Sequence, residues 1–323
     1  MGVDKVVKKV TLFEKRIYDS LVDNAFLFFK EGFVRLLDRD KYKTGKIDVG
    51  LLTITCTELQ IALEIAMRAV LVKASGINSI LTRSQSQLSE EEIKELYGNN
   101  ALKVTEFDAE KNYIKAHHLS RLSKEDFNVI DRFQTYRNKV VHFTYDFSEE
   151  QLATFRDEVL YYIVHVVLVL LADTTTGETP SEYLQSKLGY EIYKRLMNYP
   201  PYVRAMEKYA TKESNPIWTC VGCSHRTYSP EFDYCFLCGY ESIRGYRRAD
   251  CYICGTKQSV IYDNLNIHLE GNHHQMTGFC MNCECHTTVY ECPICGEAHD
   301  VLFEGDFCHE GYCAGLESND YGA

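Results

Sequence analysis

The sequence predicts an all-α helical bundle followed by a small β-rich module organised around cysteine pairs. From Thr11 to about Thr211 there is almost no turn punctuation, and apolar residues recur at spacings of three and four, the period of one helix face. From Ile217 the texture changes to short runs of Tyr, Phe and Val between glycine-rich Cys-x2-Cys turns. Thirteen of the fourteen cysteines fall between Cys220 and Cys313, and only Cys56 lies in the helical pattern. With 323 residues and 45% hydrophobic composition, the chain can bury a substantial core and hold more than one domain.

The expected helices run from Leu12 to Leu37, Leu51 to Ala74, onward from Ser89, Lys124 to Phe143, and Ser148 to Ala172. Ser181 to Tyr209 forms a helical extension that Pro200-Pro201 must interrupt or kink, because neither proline donates a helix hydrogen bond. Asp48 and Ser148 stand where N-caps belong, and Gly76 where a C-cap belongs. The expected division is a helical domain over 11–175, an extension or linker over 176–216, and the cysteine module over 217–323. Met1 to Val10 carries lysines with no apolar run and cleavage site after them, so no secretory signal is expected. The most apolar run, Val159 to Ala172, is fourteen residues, too short to span a bilayer, and reads as a buried helix.

Two-residue spacers between cysteines are what a short turn needs to present two thiolates to one tetrahedral ion, and a disulfide framework has no need of them. Five such pairs within about a hundred residues therefore predict zinc, a reducing compartment and a cytoplasmic protein. In chain order, Cys220, Cys223, Cys235 and Cys238 form one site, Cys251, Cys254, Cys280 and Cys283 a second, and Cys292, Cys295, Cys308 and Cys313 a third. About three zinc ions follow, with Cys56 and Cys285 left free. Two rivals stay open at this point. Cys251 and Cys254 could join His268 and His273 or His274 in a finger, or the first pair could share its ion with the third in an interleaved cross-brace. Four-thiolate sites are closed, so the zinc is expected to be structural and to supply much of the module's folding energy.

Charge bears on the partner. From Tyr199 onward there are 8 Lys and Arg against 17 Asp and Glu, a balance of −9 out of the chain's −11. Each four-thiolate zinc site would add two more negative charges. A module of this sign repels phosphate backbones, so it is expected to contact a protein partner or to serve the helical domain.

The helical half carries the chemistry. Arg137-Asn138-Lys139-Val140-Val141-His142 brings a guanidinium, a carboxamide and an imidazole to the end of an expected helix. About 100° per residue sets Asn138 and His142 one turn apart on one face, with Arg137 beside them. These groups suit ribonucleotide cleavage without a metal. The 2′-OH attacks the adjacent phosphorus, giving a 2′,3′-cyclic phosphate and a free 5′-OH. His142 moves the proton, Arg137 holds the phosphate and its developing charge, and Asn138 orients His142 or holds the phosphate. Lys139 stands on the open side for an RNA backbone, Tyr136 or Tyr145 could stack a base, and His117-His118 reads as surface. Walker, GxSxG and HExxH motifs do not occur in the sequence.

RNKVVH fits the RNxxxH motif of the HEPN superfamily, and Leu51 to Ala74, with Glu58, Glu64 and Arg68 punctuating an Ala- and Leu-rich stripe, resembles the second helix of that fold. The resemblance covers about Leu12 to Ala172, with Ile77 to Ser123 as an insertion. It implies a HEPN-like up-and-down bundle of four or five helices, metal-independent endoribonuclease activity, and a composite site formed across a homodimer. It also implies a toxin or anti-phage defence effector acting on tRNA or mRNA. The alternative is a noncatalytic dimeric adaptor that presents the acidic zinc-ribbon module to a protein partner.

Overall fold

The computed structural model describes residues 11–40, 42–43, 48–142, 148–242, 246–263, 268–270, 273–291 and 298–299. The chain divides into two compact units. One comprises Met1–Tyr209 with Leu237–Gly239, the other Ala210–Phe236 with Tyr240–Ala323.

The first unit is helical. Its long elements are α1 (Leu12–Arg39), α2 (Val49–Ser75), α5 (Lys124–His142), and α6 (Glu149–Phe155), which runs through a π-helical turn at Arg156–Leu160 into α7 (Tyr161–Ala172). Thr11 opens α1 with a capping box in which its hydroxyl accepts from the Glu14 amide and Glu14 returns the bond. Asp48 caps α2 by accepting from Leu51 at 2.8 Å, and Gly76 closes it at φ 82°. Side-chain bonds set the helix directions. Glu14 near the start of α1 accepts from the Ile77 amide beyond α2, while Arg35 near its end meets Glu58 at 3.3 Å, so α1 and α2 are antiparallel. Tyr18 donates to the Thr174 carbonyl just after α7, and Asp40 is joined through Tyr199 to Tyr161, so α7 opposes α1. Asp173 takes the Ser120 hydroxyl before α5, and Phe155 packs on Phe133, so α5 opposes α7. These four helices form an up-and-down bundle whose centre is wholly buried Phe29, Phe33, Leu59, Leu63, Val166 and Leu170.

Among the described residues, α2 is the one helix long and apolar enough to cross a bilayer, longer than the run at Val159 to Ala172 that the sequence singled out. Here α1, α4, α5 and α7 pack against it.

Residues 77–123 carry a 3-10 turn (Ile77–Ile80), α3 (Glu90–Gly98) and α4 (Phe107–His117). Ser89, where the sequence placed the start of this segment, caps α3. Helix α4 is tied to the bundle by two charges: Glu110 accepts from Arg68 of α2 at 2.9 Å, and Lys111 reaches Asp131 of α5 at 2.6 Å. The segment expected as an extension holds α8 (Pro180–Leu188), α9 (Tyr190–Met197) and α10 (Pro200–Glu213). Pro200 begins a helix, where a missing amide costs nothing. Tyr199 and Tyr202 set their rings edge-on to Phe33, which seats this segment on α1.

The second unit is a small antiparallel β structure. β1 (Tyr228–Ser229) pairs with β2 (Tyr234–Cys235). A larger sheet has the order β3 (Tyr246–Ala249), β4 (Val260–Asp263), β6 (His273–Cys280), β7 (His286–Glu291), β8 (Ala298–His299), with β5 (His268–Glu270) on β6. One face buries Val260, Tyr262, Met276 and Val289 around Cys251 and Cys280. A core this small needs the support of its cysteines.

Candidate functional site

Two four-cysteine groups lie in the described residues: Cys220, Cys223, Cys235 and Cys238, and Cys251, Cys254, Cys280 and Cys283, with the sulfurs of each group within 4.8 Å of one another. The pairs are therefore sequential. Neither the interleaved arrangement nor a set of Cys251 and Cys254 with histidines is what these thiols form. His268, His273 and His274 lie on the β5–β6 hairpin, and their side chains are outside the described residues. So is the expected third set, Cys292, Cys295, Cys308 and Cys313.

The four pairs share one local build. The amide of each leading cysteine donates to the carbonyl five residues on: Cys220 to His225, Cys235 to Tyr240, Cys251 to Thr256, Cys280 to Cys285, at 2.9 to 3.0 Å. The residue after each second cysteine is left-handed: Ser224 at φ 61°, Gly239 at 72°, Gly255 at 69° and Glu284 at 63°. This turn aims both sulfurs to one side. Sulfurs of neighbouring pairs stand 3.8 Å apart, Cys223 to Cys235, Cys251 to Cys283 and Cys254 to Cys280. A disulfide would need about 2.05 Å. A tetrahedral ion with bonds of about 2.3 Å sets its ligand sulfurs about 3.8 Å apart. Both groups therefore have the geometry to hold a metal ion. Around the sulfurs, Gly222 N–H faces Cys220, Thr227 Oγ1 lies 3.2 Å from Cys235, and Ser259 Oγ lies 3.3 Å from Cys280. Burial pushes Cys254 up, yet its hydrogen bonds with Thr256 and Asn282 outweigh that and draw it to about 6, while burial raises the thiols of Cys251 and Cys283 in the same group. Cys285 stands outside both groups, and Cys56 is wholly buried in α2, where burial pushes its thiol up.

The helical motif lies at the end of α5. Arg137 is half-buried and donates through Nη1 to Asn138 Oδ1 at 3.0 Å, while its Nε is buried without a hydrogen-bond partner among the described residues. Asn138 is exposed. His142 is the last residue of α5, one helical turn beyond Asn138, and its side chain is outside the described residues. The π-helical turn contacts α5.

Tyr136 is half-buried, its ring 4.8 Å from Phe155, and the ammonium of exposed Lys139 sits 5.7 Å over it. Tyr145 is outside the described residues. His117 and His118 are surface residues, His117 stacked on Tyr113 and His118 left-handed at φ 49°. Arg68, the family-like position of α2, is taken up by Glu110 and by Glu64 at 3.8 Å. Sequence reading missed the shared turn of the cysteine pairs, although Gly239 and Gly255 directly after their pairs were its visible signal. The chain matches no protein-family model, no curated protein and no solved structure.

Proposed function

We propose that the chain is a metal-independent endoribonuclease of HEPN type, an RNA-cleaving toxin or defence effector acting on tRNA or mRNA as a homodimer. The observation that carries this reading is Arg137, a half-buried guanidinium on the motif turn of an up-and-down bundle, beside exposed Asn138. In the reaction the 2′-oxygen bonds to phosphorus as its proton passes to His142, and the bond from phosphorus to the 5′-oxygen breaks as that oxygen takes a proton from a second acid. Arg137 balances the charge of the pentavalent state. One chain offers a single histidine at the motif, so the second acid is assigned to His142 of a second copy.

Both described cysteine groups hold zinc in this reading, as structural sites that stay out of the chemistry. Their sulfur spacing supports that assignment, and the expected total, with the third set, is about three ions per chain.

The test is cleavage of RNA in chelator-containing buffer, with end analysis for 2′,3′-cyclic phosphate and 5′-OH. Arg137→Ala and His142→Ala are each expected to lose about 100-fold or more. Equal cleavage by His142→Ala would remove the histidine from the mechanism. One observation favours the noncatalytic adaptor instead: Arg137 already has an acceptor in Asn138, so part of the motif is satisfied without substrate.

A further inference from the structure

A pocket of about 300 Å³ opens on the face of the second unit's sheet opposite its core. Its floor is Ile261, and cross-strand neighbours Phe279 and His286 continue the same row, since Ile261 pairs with Phe279 and Phe279 with His286. The Phe279 and His286 rings are 5.3 Å apart and tilted at 55°. Tyr240 forms the opposite wall and lies against Gly222, where an added Cβ would come within 3.3 Å of the Tyr240 side chain. Gly222 thus leaves the ring room to face the pocket. Thr277 is exposed at the rim.

With zinc bound, the surroundings would be anionic. Gly222 lies between Cys220 and Cys223, and Phe279 directly precedes Cys280, so the pocket sits between the two four-thiol groups. With zinc bound, each group would carry two negative charges. Exposed Glu284, two residues before His286, is held by Thr219 Oγ1 at 2.6 Å, and Thr219 directly precedes Cys220. Aromatic faces in an anionic setting attract cations, and a guanidinium can stack on a ring while donating to a carboxylate. Phosphate is repelled by the same field. The volume is at the low end for ligand pockets and suits one side chain.

We infer that this pocket receives an arginine or lysine side chain from a basic segment of a partner protein. The inference uses the zinc reading for part of its charge and does not depend on nuclease activity. The test measures binding of a fluorescein-labelled hexa-arginine peptide to the zinc-loaded full chain at low salt, beside a labelled hexathymidylate, which lacks a 2′-OH and resists the proposed cleavage. Thr277→Arg at the rim and Phe279→Leu in the wall are each expected to weaken peptide binding about fivefold or more. Glu231→Gln makes the same charge change as Thr277→Arg at another exposed position and is expected to leave binding within about twofold. Zinc content equal to that of the unaltered chain verifies the fold of each variant. His142→Ala is expected to bind the peptide normally, which separates this test from that of the nuclease. No peptide binding, or equal losses in Glu231→Gln and Thr277→Arg, would overturn the inference. Tighter binding of hexathymidylate that Phe279→Leu abolishes would overturn it in favour of a nucleic-acid site.

Discussion

The amide of Thr219 donates to the carbonyl of Met281 at 2.7 Å. Thr219 adjoins Cys220 and Met281 adjoins Cys280, so one backbone bond joins a ligand turn of the first thiol group to one of the second. Met281 N–H in turn donates to Ser259 at 2.8 Å. The two groups are therefore coupled through rigid backbone.

Loss of the second group should weaken the first. If both groups hold zinc, as proposed, Cys251→Ser with Cys254→Ser is expected to release one ion outright and to speed release of the ion at Cys220, Cys223, Cys235 and Cys238, because metal binding and folding are linked. Chromogenic chelation kinetics read both phases. An unchanged release rate at the first group would show that the Thr219 to Met281 bond transmits nothing.

Gly278 is fixed by sterics. A Cβ there would lie 2.6 Å from Val260 Cγ1 and 2.8 Å from Val289 Cγ2, inside the buried face of the sheet. Gly278→Ala is expected to cost about 1–3 kcal/mol by overpacking, seen as a lower melting temperature of the zinc-loaded chain. The left-handed positions make a matched comparison. Gly255 has open space around its Cα, so Gly255→Ala tests conformation alone and should cost about 1 kcal/mol, while Ser224→Gly should gain a similar amount. Equal stability of all three variants would mean the turns are held by metal alone.

Much of this architecture was legible in the sequence because it is local. Asp48, Gly76 and Ser89 mark helix ends through their own side chains or the lack of one, and Cys-x2-Cys is a turn with its ligands built in. What escaped reading depends on distant partners. Helix α4 has ordinary composition, and its role emerges only when Glu110 meets Arg68 across 42 residues. Tyr136 meets Phe155 only once α6 folds against α5. The pocket at Phe279 needs three strands in one register, which no single segment of sequence records.

The Arg68 and Glu110 pair predicts a pH signature. The Glu110 side chain is 1% exposed, and burial raises its pKa while Arg68 and Thr105 work to lower it. Removing the arginine leaves a buried carboxylate without its cation, so Arg68→Ala is expected to cost about 3 kcal/mol at neutral pH. With Arg68 gone the folded-state pKa of Glu110 rises further above its unfolded value. A raised acid favours the protonated folded state, so its stability is present below the unfolded pKa and is lost as pH rises toward the folded one. The deficit of Arg68→Ala should therefore shrink in acid, as denaturant melts at pH 7 and pH 4.5 would read. A deficit independent of pH would place the cost in lost packing of the arginine stem.

The nuclease reading makes its sharpest prediction about subunits. If His142 of one copy takes the 2′-OH proton and His142 of a second copy delivers a proton to the 5′-oxygen, a mixed dimer with one alanine lacks half of its acid and base chemistry. Unaltered and His142→Ala chains, mixed in equal amounts and refolded together, then form active dimers only where two unaltered chains meet, about one quarter of the total for random pairing in a two-fold dimer. Activity should follow the square of the unaltered fraction across a titration. An active centre complete within one chain would instead give about one half at equal mixing and a straight line throughout. Arg137→Ala chains mixed in the same way report on the guanidinium: a square law assigns both copies of Arg137 to one phosphate, and a straight line assigns one.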